Sequence, residues 1–186
     1  MPRPHLEPEK ALNTLLFVIQ QLGQPGYHKV FKTLYFAEQR HLTTWGASLM
    51  AGDRFVKMVD GPVPSDMYNF IKFTNGNHDG RNYPPALVEK VKNSIAAVGR
   101  HNVIALTLPD VDYLAQAEID SLLWSVEKCA TLGFGKLRDL SHDQAWESVK
   151  FNETIEPVAI AAAGGATPEE LDYLRESLSN DFYASL

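Results

Sequence analysis

Residues 30–68 constrain the fold more than any other stretch, because the hydrophobic period changes there repeatedly and a turn-forming residue marks each change. Val30, Phe31, Leu34, Tyr35 and Leu42 lie within one wide arc of a helix that the spacing predicts over residues 27–44. Trp45-Gly46 breaks that period, and residues 53–59 read as a short strand. Gly61-Pro62-Val63-Pro64 then reads as a rigid turn, with a new helix starting near Pro64-Ser65 and carrying Met67, Tyr68, Phe70 and Ile71. Upstream, Leu12, Leu15, Leu16, Ile19 and Leu22 fall on one face of a helix over residues 8–22. Gly23-Gln24-Pro25-Gly26 stops it, which predicts an antiparallel helical hairpin.

Downstream, residues 74–82 are dense in turn formers and predict an exposed loop. Residues 94–98 and 103–108 flank Gly99-Arg100-His101-Asn102 as a β-hairpin. A long helix follows over residues 116–132, with Ile119, Leu122, Leu123, Val126 and Ala130 expected to face inward and Gly133 ending it. Ser141-His142-Asp143-Gln144 and Thr167-Pro168-Glu169-Glu170 both fit the capping-box spacing. The second opens a terminal helix over residues 167–186, with Leu171, Leu174, Leu178 and Phe182 on one side. The fold class expected is α+β: one predominantly helical domain over residues 1–186 with a small antiparallel β-sheet.

At 186 residues the chain is long enough to bury roughly 70% of its unfolded surface in one core. A net charge of −6 counts against nucleic acid as partner, since that affinity comes from clustered Lys and Arg. The lone Cys129 leaves no disulfide framework or multi-cysteine zinc site, and it reads as a small buried hydrophobe. Residues 1–10 lack the apolar core of a signal peptide, and no apolar run approaches the ~20 residues of a membrane span. A cytoplasmic protein with no membrane partner is expected.

Several polar residues sit where chemistry could be done. Glu38 and His41 form E-x-x-H, with Glu38 in the middle of the apolar arc. A di-iron site needs two such motifs and two further glutamates, so this single copy predicts a structural polar network. Its partners would be His41, a Tyr hydroxyl or backbone N–H groups at Gly61-Pro62. Phe36 lies on the opposite, polar side among Lys32 and Arg40, which marks a candidate partner surface unless another helix covers it. The loop running to Asn77 and Tyr83 is a second candidate. His142 with Asp143 and Trp146 suggests a general base, yet no Ser or Cys stands in a recognisable nucleophile setting. No catalytic residue, cofactor or metal is therefore assigned.

The order of these motifs resembles the Panacea antitoxin domain, also called the SocA-like antitoxin domain, found in bacteria and their phages. The residues that carry the resemblance are Leu34-Tyr35-Phe36-Ala37, Glu38, His41-Leu42, Gly46, Gly52-Asp53-Arg54-Phe55-Val56, Gly61-Pro62-Val63, Tyr68, Leu140-Ser141-His142 and Ala145-Trp146. It covers roughly residues 10–150. Where many members carry an aromatic before Gly-Pro-Val, this chain has Asp60. The resemblance implies a protein-binding module rather than an enzyme. Its partner would be a co-encoded protein toxin, neutralised by direct contact, with a cellular protease as a possible second partner. The alternatives are a DNA-binding regulator of its own operon and, behind it, a small hydrolase using Glu38, His41 or His142.

Overall fold

A computed structural model describes residues 6–184, with side chains described through residue 179. The signal-peptide reading of residues 1–5 and the placement of Phe182 therefore lie outside the described residues. Helix α1 (Pro8–Leu22) opens on a proline at its first position and ends at Gly23, whose N–H bonds Gln20 O. Helix α2 (Tyr27–Trp45) ends at Gly46 in the left-handed conformation that glycine adopts without strain. The turn between them adds to a sheet edge. Val103 N–H bonds Pro25 O and Tyr27 N–H bonds His101 O, at 3.0 and 2.9 Å.

Strands β1 (Phe55–Met58) and β2 (Gly61–Pro64) pair antiparallel, with Lys57 opposite Pro62 and Phe55 opposite Pro64. Gly61-Pro62-Val63-Pro64 is thus a strand, and the rigid-turn expectation is corrected. Its two prolines are tolerated for a geometric reason. Lys57 N–H bonds Glu153 O, while Lys57 O and Phe55 O accept from Asn152 and Ile155. The backbone groups of Phe55 and Lys57 therefore point away from β2, so Pro62 and Pro64 occupy the positions where a missing N–H removes no ladder bond.

Helix α3 (Ser65–Thr74) follows β2 directly, then the 75–84 loop and helix α4 (Pro85–Ser94), which the sequence reading did not anticipate. Strands β3 (Ile95–Val98) and β4 (Asn102–Ala105) form the expected hairpin. Among the described residues there are two separate two-stranded sheets, both antiparallel. A 3-10 turn at Val111–Tyr113 leads to α5 (Gln116–Ala130), α6 (Phe134–Ser141) and α7 (Gln144–Glu147). Helices α8 (Pro157–Ala163) and α9 (Pro168–Ala184) complete the fold. The capping box at Thr167–Glu170 is formed through both of its bonds. The one at Ser141 is not: Asp143 caps α7 instead, and Ser141 ends α6.

Helix α2 is the axis of the domain. It packs against α1, α5, α6, α8 and β2, and from Val30 to Leu42 only Arg40 is exposed. Phe36 and Lys32, a candidate partner surface only if no helix covered them, are buried, because α5 and the other neighbours of α2 supply that cover. Helix α5 departs from its periodicity in the opposite sense. It turns Glu118, Ser121, Leu122, Ser125 and Cys129 inward and leaves Leu123, Trp124 and Ala130 exposed.

Gly61 has φ +100°, and a Cβ there would fall on Ser141 Oγ and within 2.9 Å of Lys32 Cε and Nζ. Backbone strain and overpacking then act together, so Gly61→Ala is expected to cost roughly 2–4 kcal/mol. The midpoint of urea unfolding, compared with Gly99→Ala in open space at φ +60°, reads the packing part.

Candidate functional site

The polar groups that α2 carries into the core define the site. Lys32 is fully buried, and its Nζ donates to Pro62 O at 2.8 Å, the carbonyl that β2 turns away from β1. Burial pushes the Lys32 ammonium down to about 7, with Asp60 opposing. One turn earlier, His28 meets Asp60 O at 3.1 Å and stacks on Phe134. Burial and the nearby Lys32 lower His28 to about 4.

Tyr35 and Gln39, one turn apart on α2, converge on the Asp143 carboxylate. Tyr35 Oη donates to both of its oxygens at 3.0 and 2.9 Å, and Gln39 Nε2 donates to Oδ2 at 2.7 Å. The same carboxylate caps α7 by accepting from Trp146 N–H at 3.1 Å. Trp146 stacks flat on His142 at 3.8 Å, donates Nε1–H to Met58 O at 3.0 Å, and lies under Lys57 Nζ at 4.0 Å. One aromatic thus ties β1 to α7, while Asp143 ties α7 to α2. Val63 packs partly buried against the core, and Tyr68 sits edge-on to Phe31 with Lys72 over its face.

Glu38 finds partners the sequence did not indicate. Its Oε2 accepts from Leu49 N–H at 3.0 Å, with the Ser48 hydroxyl as a second donor, rather than from His41, a tyrosine or the Gly61-Pro62 segment. Burial raises Glu38 to about 7, and those two donors oppose the rise. His41 Nδ1 lies 3.1 Å from Ser121 Oγ, which donates its own proton to Ala117 O. The imidazole is therefore the donor in that pair, with Nδ1 protonated. Burial lowers the His41 pKa, and Glu118 opposes. Glu38 and His41 make their hydrogen bonds to different groups, although both feel the Lys10–Glu118 ion pair, and His142 stacks on Trp146. Among the described residues no group of three His, Cys, Asp or Glu could hold a metal ion.

Of the surface residues expected to meet a partner, only Arg40 and Asn77 are exposed. Tyr83 is half-buried, donating Oη to Asp66 and accepting from Asn69 at 2.8 Å. Asp66 belongs to α3, whose first N–H groups are capped from afar by buried Asp53: Asp66 and Met67 donate to it at 2.9 and 2.8 Å. Arg40 lies 4.8 Å over Trp124 of α5, and Lys128 Nζ lies 4.9 Å from that indole and 4.2 Å over Phe36. The sequence names Asp53 in a strand-entry motif and Asp143 beside His142 without their capping roles, and it singles out neither Trp124 nor Lys128. The local signal for Asp143 was its place three residues before Trp146, as a helix cap. Trp124 and Lys128 gave none, since their partners come from another helix.

Asp143→Ala is expected to cost roughly 2–4 kcal/mol, because it removes the α7 cap and strands the Tyr35 hydroxyl and Gln39 amide. Thermal unfolding checks it, with Tyr35→Phe as a milder companion. The pH dependence has a definite sign. Folded Glu38 keeps its proton to about pH 7, whereas its ordinary value is 4.5, so the folded state holds the extra proton between the two. Stability from this group is full below the unfolded value and falls as pH rises towards 7. Glu38→Gln should flatten that fall by about 3 kcal/mol, read from urea midpoints at pH 5 and pH 8.

Residues 30–147 match the family model described as Antitoxin SocA-like, Panacea domain. No curated protein and no solved structure matches the chain. The matched span runs from the first turn of α2 to the end of α7, and it contains the Lys32–Pro62 and Tyr35–Asp143–Trp146 connections described above. No helix among the described residues is long and apolar enough to cross a membrane. With well over half of its length inside that match and the motif residues forming one connected core, the chain belongs to the SocA-like antitoxin family and carries its Panacea domain.

Proposed function

We propose that the chain neutralises a co-encoded protein toxin by direct contact, through a surface centred on Trp124. The observation that carries this reading, beside family membership, is the stack of Arg40, Trp124 and Lys128 across the exposed seam of α2 and α5. Trp and Arg are enriched in binding hot spots, where large side chains fill well-packed, desolvated pockets. Here the indole is 37% exposed and already in contact with two cations, Arg40 and Lys128, so docking orders little that is not ordered already. Leu123, the preceding residue of α5, is exposed as well. Buried Phe36 lies beneath this surface, its ring roofed by Lys128, while buried Lys32 holds α2 to β2.

Asn77, at the tip of the 75–84 loop, supplies a second exposed polar contact. Tyr83, held by Asp66 and Asn69, fixes the base of that loop. Binding of this kind needs no catalytic group, and it leaves a bound toxin open to delivery to a cellular protease as a later step.

Co-expression with the product of the adjacent reading frame tests the proposal. The wild-type chain should rescue growth, and Trp124→Ala or Arg40→Glu should weaken toxin binding at least tenfold with unchanged circular dichroism. Failure of the wild-type chain to bind that product would remove the toxin reading. Full binding by both folded variants would move the contact elsewhere.

A further inference from the structure

Between β4 and α5 the chain runs as a strap, Leu106-Thr107-Leu108-Pro109-Asp110-Val111-Asp112-Tyr113. Leu106, Leu108, Val111 and Tyr113 are all exposed, and Leu108, at 77%, is the most exposed large hydrophobic side chain among the described residues. A single exposed leucine needs no explanation, but four large apolar residues within one short segment do.

The strap is also fixed. Leu106 N–H bonds Ser94 O at 2.8 Å, and Asp110 N–H bonds the Asn13 side chain at 2.8 Å. Asp110 accepts from Asp112 N–H at 3.1 Å to start the 3-10 turn, and Leu114 N–H bonds Val111 O at 2.9 Å. Below it, Leu114 is buried as the anchor. A segment held at both ends and in the middle, yet presenting its apolar side chains outward, has its backbone ordered before any partner arrives.

Its charge has one sign. The strap carries Asp110 and Asp112 and no cation. Lys90, which feels Tyr113 and Asp110 from a distance, is engaged by Glu9 at 2.5 Å. An acidic, apolar ridge on a chain of net charge −6 is complementary to a basic surface containing an apolar groove.

We propose that residues 106–113 are a preformed docking strap that seats Leu106 and Leu108 in an apolar groove of the toxin, with Asp110 and Asp112 meeting basic residues on the groove's rim. The identity of the occupant rests on the antitoxin reading. The strap itself is separate from the Trp124 surface, although it leads into the helix that carries Trp124.

The test uses the full chain and the purified product of the adjacent reading frame, with affinity measured by calorimetry at low and moderate salt. Leu106→Ser combined with Leu108→Ser leaves the backbone bonds that hold the strap in place, so the melting temperature should hold while affinity falls at least tenfold. Asp110→Asn combined with Asp112→Asn keeps the Asp110 acceptor, and it should slow association and flatten the salt dependence. Wild-type affinity in both double variants, with loss in Trp124→Ala, overturns the strap and leaves the toxin reading standing. No binding by the wild-type chain overturns the toxin as occupant together with that reading. A wild-type dimer by light scattering that the leucine variant converts to a monomer assigns the strap to a second copy of this chain, and also overturns the proposal.

Discussion

Helix α2 carries Lys32, Glu38, Gln39 and His41 into an interior that offers them no water, and the rest of the domain is arranged around satisfying them. An unpaired buried ammonium or carboxylate costs more than a domain of this size can spare. Each therefore draws a different element towards α2. Lys32 engages the carbonyl of Pro62 in β2, Glu38 the Leu49 N–H and the Ser48 hydroxyl, Gln39 the cap of α7, and His41 a serine of α5. The hydrophobic effect supplies most of the stability, but these bonds determine which neighbour lies against which side of the helix.

Several otherwise odd features follow from that arrangement. Two prolines stand in β2 because no ladder bond needs an N–H at either position, while the outward carbonyl of Pro62 accepts from Lys32 of α2. Gly61 is required where β2 comes so close to Lys32 and Ser141 that no side chain fits. Helix α5 presents small and polar residues inward, which lets Ser125 reach Thr33 O at 2.6 Å and Ser121 reach His41. The apolar Leu123 and Trp124 are left outside as the consequence, and the exposed surface of the family core acquires its aromatic patch in this way.

Legibility varied with how local the cause was. The starts of α1, α2 and α9, the β3–β4 hairpin and the capping box at Thr167 each depend on residues within a turn of one another, and they were readable. Helix α4 was not, because Pro84-Pro85 and a short apolar stripe of Leu87 and Val91 give little periodicity. The exposure of Phe36 stayed open for a different reason. A helical wheel shows which residues share a face, and Phe36 does share one with Lys32 and Arg40, but it cannot show that α5 covers part of that face. Tyr83 was placed rightly at the end of a loop, while its bond to Asp66 depends on where α3 lies.

The sequence by itself determined the helical and strand periods, the turns that separate them and the ordered motifs that place the chain among SocA-like antitoxins. Those properties depend on backbone sterics and short-range spacing, which the chain carries wherever it goes. Only the tertiary structure decided that α2 is enclosed, that Asp143 rather than Ser141 caps α7, and that Trp124 and residues 106–113 face solvent. Burial belongs to pairs of elements rather than to residues, so a face is inner or outer only once its neighbour has been chosen.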